Sequence, residues 1–286
     1  MSTIKETYSY QLLREEYILF KNRKLAELLR RNNRYKDKYQ GERCFIFGNG
    51  PSLKNLNFDL FADEYTFTVN QISRNPEFPK LHTNFHMWSD QRFFKLDPQS
   101  AGDMELLEVM KNVNTEGNKP IIFYKYDAYD MVKQFQLGKE LNINYFQQGW
   151  YYISEKHDVD FTKFTPAFSS VVHYLICLAV YMGFKEIYLL GCDCTSIVTI
   201  IDNYLGKGEN AQYAYAISAN EKRRMEKVQQ LTKVRDELQS TIRLFDDYER
   251  LLRYCTARGV SLYNATNPTL LDTVPKVDIN EVLGRQ

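Results

Sequence analysis

The stretch that decides the fold is residues 43–52, which read RCFIFGNGPS. After Arg43, its first half is a short, continuous apolar run, and its second half changes abruptly to glycine, asparagine, proline and serine. A strand that helices cover on both faces has this pattern, because neither face carries polar side chains. The sequence therefore predicts a buried parallel strand followed by a tight, glycine-rich loop.

Further segments repeat this pattern of a short apolar run that ends in polar residues or glycine. They are residues 65–69, 84–88, 120–124, 186–190 and 259–263. Between two of them, residues 169–183 read SSVVHYLICLAVYMG, which predicts a buried helix with serine caps at its start and a glycine at its end. The pattern indicates an α/β, Rossmann-like fold with a mostly parallel sheet flanked by helices. In such a sheet the ligand crevice lies beyond the carboxyl ends of the strands.

The chain divides into three predicted parts. Residues 1–40 form an amphipathic helical extension, residues 41–275 form the α/β domain, and residues 276–286 form a tail. Within the domain, residues 220–258 predict a long helix or helical hairpin, which we interpret as an arm or an oligomer contact rather than part of a site. The second half of the N-terminal extension is basic. A solvated helix face and attachment to an anionic membrane surface or a partner both stay open for it.

Composition and charge exclude several classes of protein. The 37 lysines and arginines against 36 carboxylates give a net charge of +1, so we expect no nucleic-acid partner. The five cysteines lie mostly in or beside apolar runs, which is typical of reduced thiols in a cytoplasmic protein. No apolar run reaches the roughly 18 residues that span a bilayer, and the N-terminus is charged where a signal peptide is apolar. We therefore expect a cytoplasmic protein, with the inner face of the membrane open as its location.

The loop at residues 48–52 is the strongest candidate for a ligand site. Its glycines let backbone amides approach an anion closely, and Ser52 is placed to cap a following helix and to donate its hydroxyl. The loop matches neither the dinucleotide fingerprint G-x-G-x-x-G nor the P-loop pattern. A tight turn without a ligand is the alternative interpretation.

Four motifs in chain order resemble one group of families. They are GNGPSL at residues 48–53, VNQ at residues 69–71, GFKEIYLLGCD at residues 183–193 and LYNATNP at residues 262–268. Together they resemble the bacterial sialyltransferases that decorate lipo-oligosaccharide, and the related uncharacterised domain of motility-associated flagellin glycosyltransferases. An archaeal pterin pyrophosphokinase family resembles that same domain.

The sialyltransferase resemblance implies a site for the cytidine monophosphate (CMP) part of an activated sugar. The donor-site residues that it implies are Gly48, Asn49, Gly50, Ser52, Asn70, Ser169, Ser170 and Asn264. It also implies a nucleotide-sugar donor and a glycan acceptor as partners, without a cofactor. Plain helix capping stays open as the role of the serine pair.

The general base is where this chain departs from the family. The sialyltransferases use a histidine in the loop after the Gly-x-Asp strand, but residues 194–220 contain no histidine. Asp193 ends an apolar run at the predicted crevice, so we expect it to be the catalytic carboxylate, with Asp202 and Glu209 as alternatives. A structural role for Asp193, in which it holds the following loop through backbone amides, also stays open.

A metal site is not predicted. Residues 158–160 read DVD and match the D-x-D pattern of many metal-dependent glycosyltransferases, but they follow no evident strand, and the sialyltransferases work without metal. The leading hypothesis is a glycosyltransferase that moves a sugar, such as a sialic-acid-like nonulosonate, from a CMP-activated donor to a surface glycan. The alternatives are a pterin-type pyrophosphokinase and a non-catalytic nucleotide-sugar-binding subunit.

Overall fold

The centre of the fold is one open, parallel sheet. The computed structural model describes residues 8–206, 213–229 and 233–284. The strands are β1 (Arg43–Phe47), β2 (Tyr65–Val69), β3 (Phe85–Trp88), β4 (Ile121–Lys125), β5 (Asn142–Gln148), β6 (Phe164–Thr165), β7 (Glu186–Leu190) and β8 (Ser261–Asn264). Their order in the sheet is β6-β5-β4-β3-β2-β1-β7-β8, and each neighbouring pair is parallel. The predicted Rossmann-like α/β fold is confirmed.

All the predicted strands are confirmed close to their predicted bounds, but β5 and β6 were missed. β5 reads NINYFQQ, so it lacks the continuous apolar run of the other strands. Its polar groups bind the chain that precedes the sheet. The Asn32 amide donates to the carbonyl oxygen of Tyr145 at 2.7 Å, and Arg34 donates to the Asn144 side chain at 2.6 Å. These partners lie about a hundred residues away in sequence, so no local pattern indicates the strand.

Helices cover both faces of the sheet. They are α1 (Tyr8–Lys21), α2 (Arg23–Arg30), α3 (Ala101–Lys111), α4 (Tyr129–Gln134), α5 (Val171–Met182), α6 (Ser196–Tyr204), α7 (Ala219–Gln229), α8 (Val234–Thr256) and α9 (Ile279–Val282). α5 and α8 pack on one face, and α3 and α4 contribute to the core on the other. No helix within the described residues combines the length and the apolar character that crossing a bilayer requires.

α5 is the predicted crossover helix. Eleven of its twelve residues are buried, because it packs beneath the sheet and against α8. The Ser170 hydroxyl accepts a hydrogen bond from the Val172 N–H at its start, and Gly183 takes a left-handed φ of 98° at its end. The helix therefore begins at the carboxyl edge of the sheet with its first turn fixed.

The segments on either side of the α/β domain pack on it. In the N-terminal extension, Leu25, Leu28 and Leu29 are buried. In the predicted tail, the carbonyl of Val282, the last residue of α9, accepts from the Arg43 guanidinium at 3.1 Å. Both segments thus contact the sheet that they flank.

The strand order defines a crevice. The chain runs outward from β1 through β6, and α5 then returns it to β7 on the other side of β1. At such a switch in direction, the connections at the carboxyl ends of neighbouring strands leave in opposite directions and open a space between them. β1 and β7 therefore mark where a ligand is expected.

Candidate functional site

A pocket of about 250 Å³ opens at the carboxyl ends of β1, β2 and β7. Residues 48–51 form one wall, and the first turn of α5 forms another. The remaining lining residues are Val69, Asn70, residues 191–196, Tyr213, Leu244 and Tyr248. The predicted convergence of strand ends on one site is thus observed.

The glycines of the 48–50 loop allow the close approach of β1 and β7. The Gly48 N–H donates to the Leu190 carbonyl at 2.7 Å, and the Gly50 N–H donates to the Gly191 carbonyl at 2.9 Å. A Cβ atom at Gly50 would lie only 2.7 Å from the Gly191 oxygen and would overlap the Asp193 carboxylate. Gly50 is required for space rather than for an unusual φ, which is −66°.

Asp193 holds the loop through Ser52. One carboxylate oxygen accepts from the Ser52 N–H at 2.9 Å, and the other accepts from the Ser52 hydroxyl at 2.7 Å. Burial raises the pKa of Asp193, and the two bonds from Ser52 oppose that rise. Ser52 lies within a short 3₁₀ turn, Pro51–Asn55, so its predicted role as a helix cap is wrong.

A second aspartate–serine pair holds the other wall. Asp247 of α8 accepts from the Ser169 N–H at 3.0 Å and from the Ser169 hydroxyl at 2.7 Å. Ser169 directly precedes Ser170, the residue that caps α5 and lines the pocket. The loop and the helix start that face each other across the pocket are therefore each held by a buried carboxylate.

Two asparagines offer unused hydrogen-bond acceptors. The side-chain Oδ1 atoms of Asn49 and Asn70 are buried and have no hydrogen-bond partner within the described residues. Asn70 also has a left-handed φ of 47°, which asparagine tolerates better than most residues. An unsatisfied buried acceptor costs about 1–3 kcal/mol. A ligand that donates hydrogen bonds would remove that cost.

The lining of the pocket is poorly suited to a highly charged anion. Among the described residues that line it, none is lysine, arginine or histidine. Positive potential comes instead from the N-terminal end of the α5 dipole. Burial raises the pKa of the Cys194 thiol to about 12, so this pocket cysteine is protonated at neutral pH and is a poor nucleophile.

The structure brings together most, but not all, of the predicted site residues. Those that line the pocket are Gly48, Asn49, Gly50, Asn70, Ser170 and Asp193. Ser52 and Ser169 lie behind the lining, bound to their aspartates. Asn264 does not reach the pocket: its amide donates to the Leu271 carbonyl at 3.0 Å, and its oxygen accepts from the Thr266 N–H at 3.0 Å. It orders the loop after β8.

The other candidate carboxylates lie elsewhere. Asp158 and Asp160 border a cavity at the opposite, amino edge of the sheet, where Asp158 pairs with Arg258 at 2.7 Å. Asp202 lies on α6, and Glu209 falls outside the described residues. Within the part of the chain that is described, no group of three or more His, Cys, Asp or Glu side chains is placed to hold a metal ion.

None of the four histidines lines the pocket. His173 is buried in the first turn of α5, where burial lowers its pKa to about 3, so the imidazole is neutral. Its Nδ1 lies 3.6 Å from Asp247, and neither ring nitrogen has a hydrogen-bond partner among the described residues. His173 is therefore a core side chain and not a group that faces the pocket.

Sequence reasoning missed the contribution of residues 220–258. α8 supplies Leu244 and Tyr248 to the pocket wall and Asp247 to the pair with Ser169. The prediction that this segment is an arm or an oligomer contact rather than part of a site is therefore wrong for its second half, α8. In the sequence, Asp247 is one of many charged residues in this segment. Its partner, Ser169, lies 78 residues away, so no local pattern indicates its role.

A buried polar network fixes the segment that follows Tyr213. The Glu221 carboxylate accepts from the Gln71 amide at 2.7 Å and from the Arg224 guanidinium at 2.7 Å. The Ala214 N–H donates to the Asn49 carbonyl at 3.0 Å. The chain between Asp193 and this network contains α6, and Ala214 lies against the glycine-rich loop.

A family model decides the relationship. Residues 19–198 match the model of the family described as 6-hydroxymethylpterin diphosphokinase MptE-like. The chain belongs to the MptE-like family. The match includes β1 to β7 and therefore covers the loop, the first turn of α5 and Asp193. No curated protein matches the chain in sequence.

Solved structures that are similar to this MptE-like chain include sialyltransferases, the class that the motifs predicted. One is the monofunctional α-2,3-sialyltransferase Cst-I of Campylobacter jejuni, with 16% identity, a TM-score of 0.46, and coverage of 84% of this chain and 81% of that one. Another is the sialyltransferase CstII of Campylobacter jejuni in complex with CMP-3FNeuAc. It has 18% identity, a TM-score of 0.46, and coverage of 84% and 87%.

Proposed function

We propose that the chain is a glycosyltransferase that moves a sugar from a CMP-activated donor to a glycan acceptor. The observation that carries the proposal is the pocket at β1, β2 and β7, which combines a glycine-rich loop and a helix N-terminus with a lining that, in the described part of the chain, lacks lysine and arginine. The phosphate of a CMP-linked sugar is a diester with a single negative charge. Amide dipoles and hydroxyls are sufficient to hold such a group.

The two asparagines support a nucleoside beside that phosphate. The Oδ1 atoms of Asn49 and Asn70 need donors, and the cytosine amino group and the ribose hydroxyls are donors, whereas a phosphodiester has none. The motifs that resemble those of sialyltransferases favour a sialic-acid-like nonulosonate as the transferred sugar. The pocket lining itself does not select one sugar.

Asp193 is the carboxylate that we propose as the general base. It lines the pocket at the end of β7, and its raised pKa makes it a stronger proton acceptor than a solvated aspartate. Each of its oxygens already accepts one bond from Ser52, and each keeps a second lone pair for an acceptor hydroxyl. The chemical step would form the bond from the acceptor oxygen to the sugar, break the bond from the sugar to phosphate, and release CMP.

The name of the family supports a second candidate. A diphosphokinase of this kind would transfer a diphosphate group from ATP to the hydroxymethyl group of a pterin. That reaction requires the protein to hold a polyphosphate with several negative charges, usually with Mg²⁺ and basic side chains. The lining of the described pocket is a poor match for such a ligand.

A nucleotide panel in a thermal-shift assay separates the candidates. At about a hundredfold excess over Kd, CMP is expected to raise Tm by about 5 °C, whereas ATP with Mg²⁺ has little effect. Stabilisation by ATP with Mg²⁺ but not by CMP would replace the glycosyltransferase with the diphosphokinase. Release of CMP from a CMP-sugar, measured with a glycan acceptor present, then distinguishes an enzyme from a binding subunit that has no turnover.

A further inference from the structure

The first helix turns apolar side chains outward and a carboxylate inward. Leu13, Tyr17 and Phe20 of α1 are between 61% and 73% exposed, although Glu15 on the same helix is only 4% exposed. Positions 13, 17 and 20 fall on one face of an α-helix, and position 15 falls on the opposite face. The buried face packs on the domain, so this exposed stripe faces away from it, with the Lys21 ammonium 5.7 Å from the centre of the Tyr17 ring. Large apolar side chains grouped in this way mark an interaction surface.

An aromatic loop at the carboxyl edge of the sheet lies against α1. The Arg14 guanidinium lies 3.9 Å from the centre of the Trp150 ring, in the segment that follows β5. Trp150 and Tyr152 are 46% and 65% exposed. The aromatic loop therefore extends the surface of α1 toward the edge of the sheet on which the pocket opens.

Positive charge is in excess on this surface. The two helices, residues 8–30, contain five lysines and arginines against three carboxylates, and one of these carboxylates, Glu15, is buried on the other face. A groove of about 600 Å³ beside α1 and α2 combines the apolar side chains of Leu19 and Phe20 with the guanidinium groups of Arg23 and Arg30. The carboxylate in its lining, Glu16, is paired with Lys163 at 2.9 Å. The surface thus offers apolar contacts and cationic groups side by side.

We propose that α1, α2 and the loop at residues 149–152 dock on an anionic lipid bilayer. Leucine and phenylalanine reach the acyl boundary, tryptophan and tyrosine favour the headgroup level, and arginine and lysine bind lipid phosphates. A second copy of the chain is a poorer occupant, because a twofold contact would bring two cationic patches together. This inference is independent of the proposed glycosyltransferase activity.

Cosedimentation with vesicles tests the proposal on the full chain. We expect binding to vesicles of phosphatidylcholine mixed with phosphatidylglycerol, weak binding to phosphatidylcholine alone, and a loss of binding as salt increases. The triple variant L13S/Y17S/F20S is expected to bind at least about tenfold more weakly. R23E/R30E is expected to lose the preference for phosphatidylglycerol. These side chains are exposed, so both variants should keep the wild-type Tm.

The matched control is the triple variant V234S/L238S/I242S. These α8 residues are also apolar, between 44% and 61% exposed and on one helical face, but the charges around them are balanced. The control is expected to bind vesicles as the wild type does. The proposal is overturned if the wild type binds vesicles with phosphatidylglycerol no better than vesicles of phosphatidylcholine alone, or if the control loses as much binding as the α1 variant. It is also overturned if the α1 variant changes only the oligomeric state in gel filtration. Capture of an acidic protein without any vesicle binding would also overturn it.

Discussion

Replacing Gly50 with alanine is expected to abolish nucleotide binding and to destabilise the fold. The new Cβ would meet the Asp193 carboxylate and the Gly191 carbonyl, both of which are buried parts of the β1–β7 contact. Neither is the free end of a flexible side chain, so the loop and the end of β7 must separate. We expect Tm to fall by roughly 5–10 °C and affinity for CMP to fall at least about a hundredfold.

The control for Gly50→Ala is Gly138→Ala. A Cβ at Gly138 would meet no atom within 4 Å, and its φ is not in the left-handed region. This variant should keep the wild-type Tm and affinity for CMP, or be slightly more stable, because alanine reduces the conformational entropy of the unfolded chain. Normal CMP binding by Gly50→Ala would contradict the close packing that we assign to the loop.

Replacing Asp193 with asparagine is expected to reduce turnover at least about a hundredfold with little change in CMP affinity. Asparagine keeps the shape, its oxygen can still accept from the Ser52 N–H, and the Ser52 hydroxyl can accept from the new amide. The loop should therefore stay in place, but the side chain can no longer take a proton. Steady-state transfer kinetics and calorimetric CMP affinity, measured on the same preparation, check the two halves of this expectation.

Asp247→Asn is the matched control, because Asp247 also accepts from the N–H and the hydroxyl of one serine, Ser169, but does not line the pocket. Its turnover should fall far less than that of Asp193→Asn. Equal losses in both variants would mean that Asp193 acts only through the position of the loop. Loss of CMP affinity in Asp193→Asn would mean that Asp193 is a binding residue. Full turnover in that variant would make Asp202 the next candidate for the general base.

The strand ends were predictable because buried parallel strands have a sequence pattern of their own. β1 and β7 are continuous apolar runs that stop at glycine. Because ligands bind beyond the carboxyl ends of parallel strands, these two local patterns were enough to place the glycine-rich loop beside Asp193. The buried crossover helix was equally clear, since Ser170 and Gly183 mark its two ends.

What the sequence did not reveal depends on partners far apart in the chain. Ser52 and Ser169 looked like ligand contacts or caps, but each donates to an aspartate that lies 141 and 78 residues away, respectively. β5 was hidden for a similar reason, because its polar side chains bind residues of the N-terminal extension. Asn264 shares a motif with the sialyltransferases, yet its side chain is used within its own loop.

Calorimetric titration of CMP into the wild type, Asn49→Ala and Asn70→Gly tests the central claim most directly. Glycine is used at position 70 because it removes the side chain but keeps the left-handed backbone, and His82→Gly, at another left-handed residue with an exposed side chain, is the control. We predict that the two asparagine variants bind CMP about ten- to hundredfold more weakly, while the control and the wild type bind alike. Unchanged affinity in both asparagine variants, or no CMP binding by the wild type, would contradict a nucleotide site in this pocket.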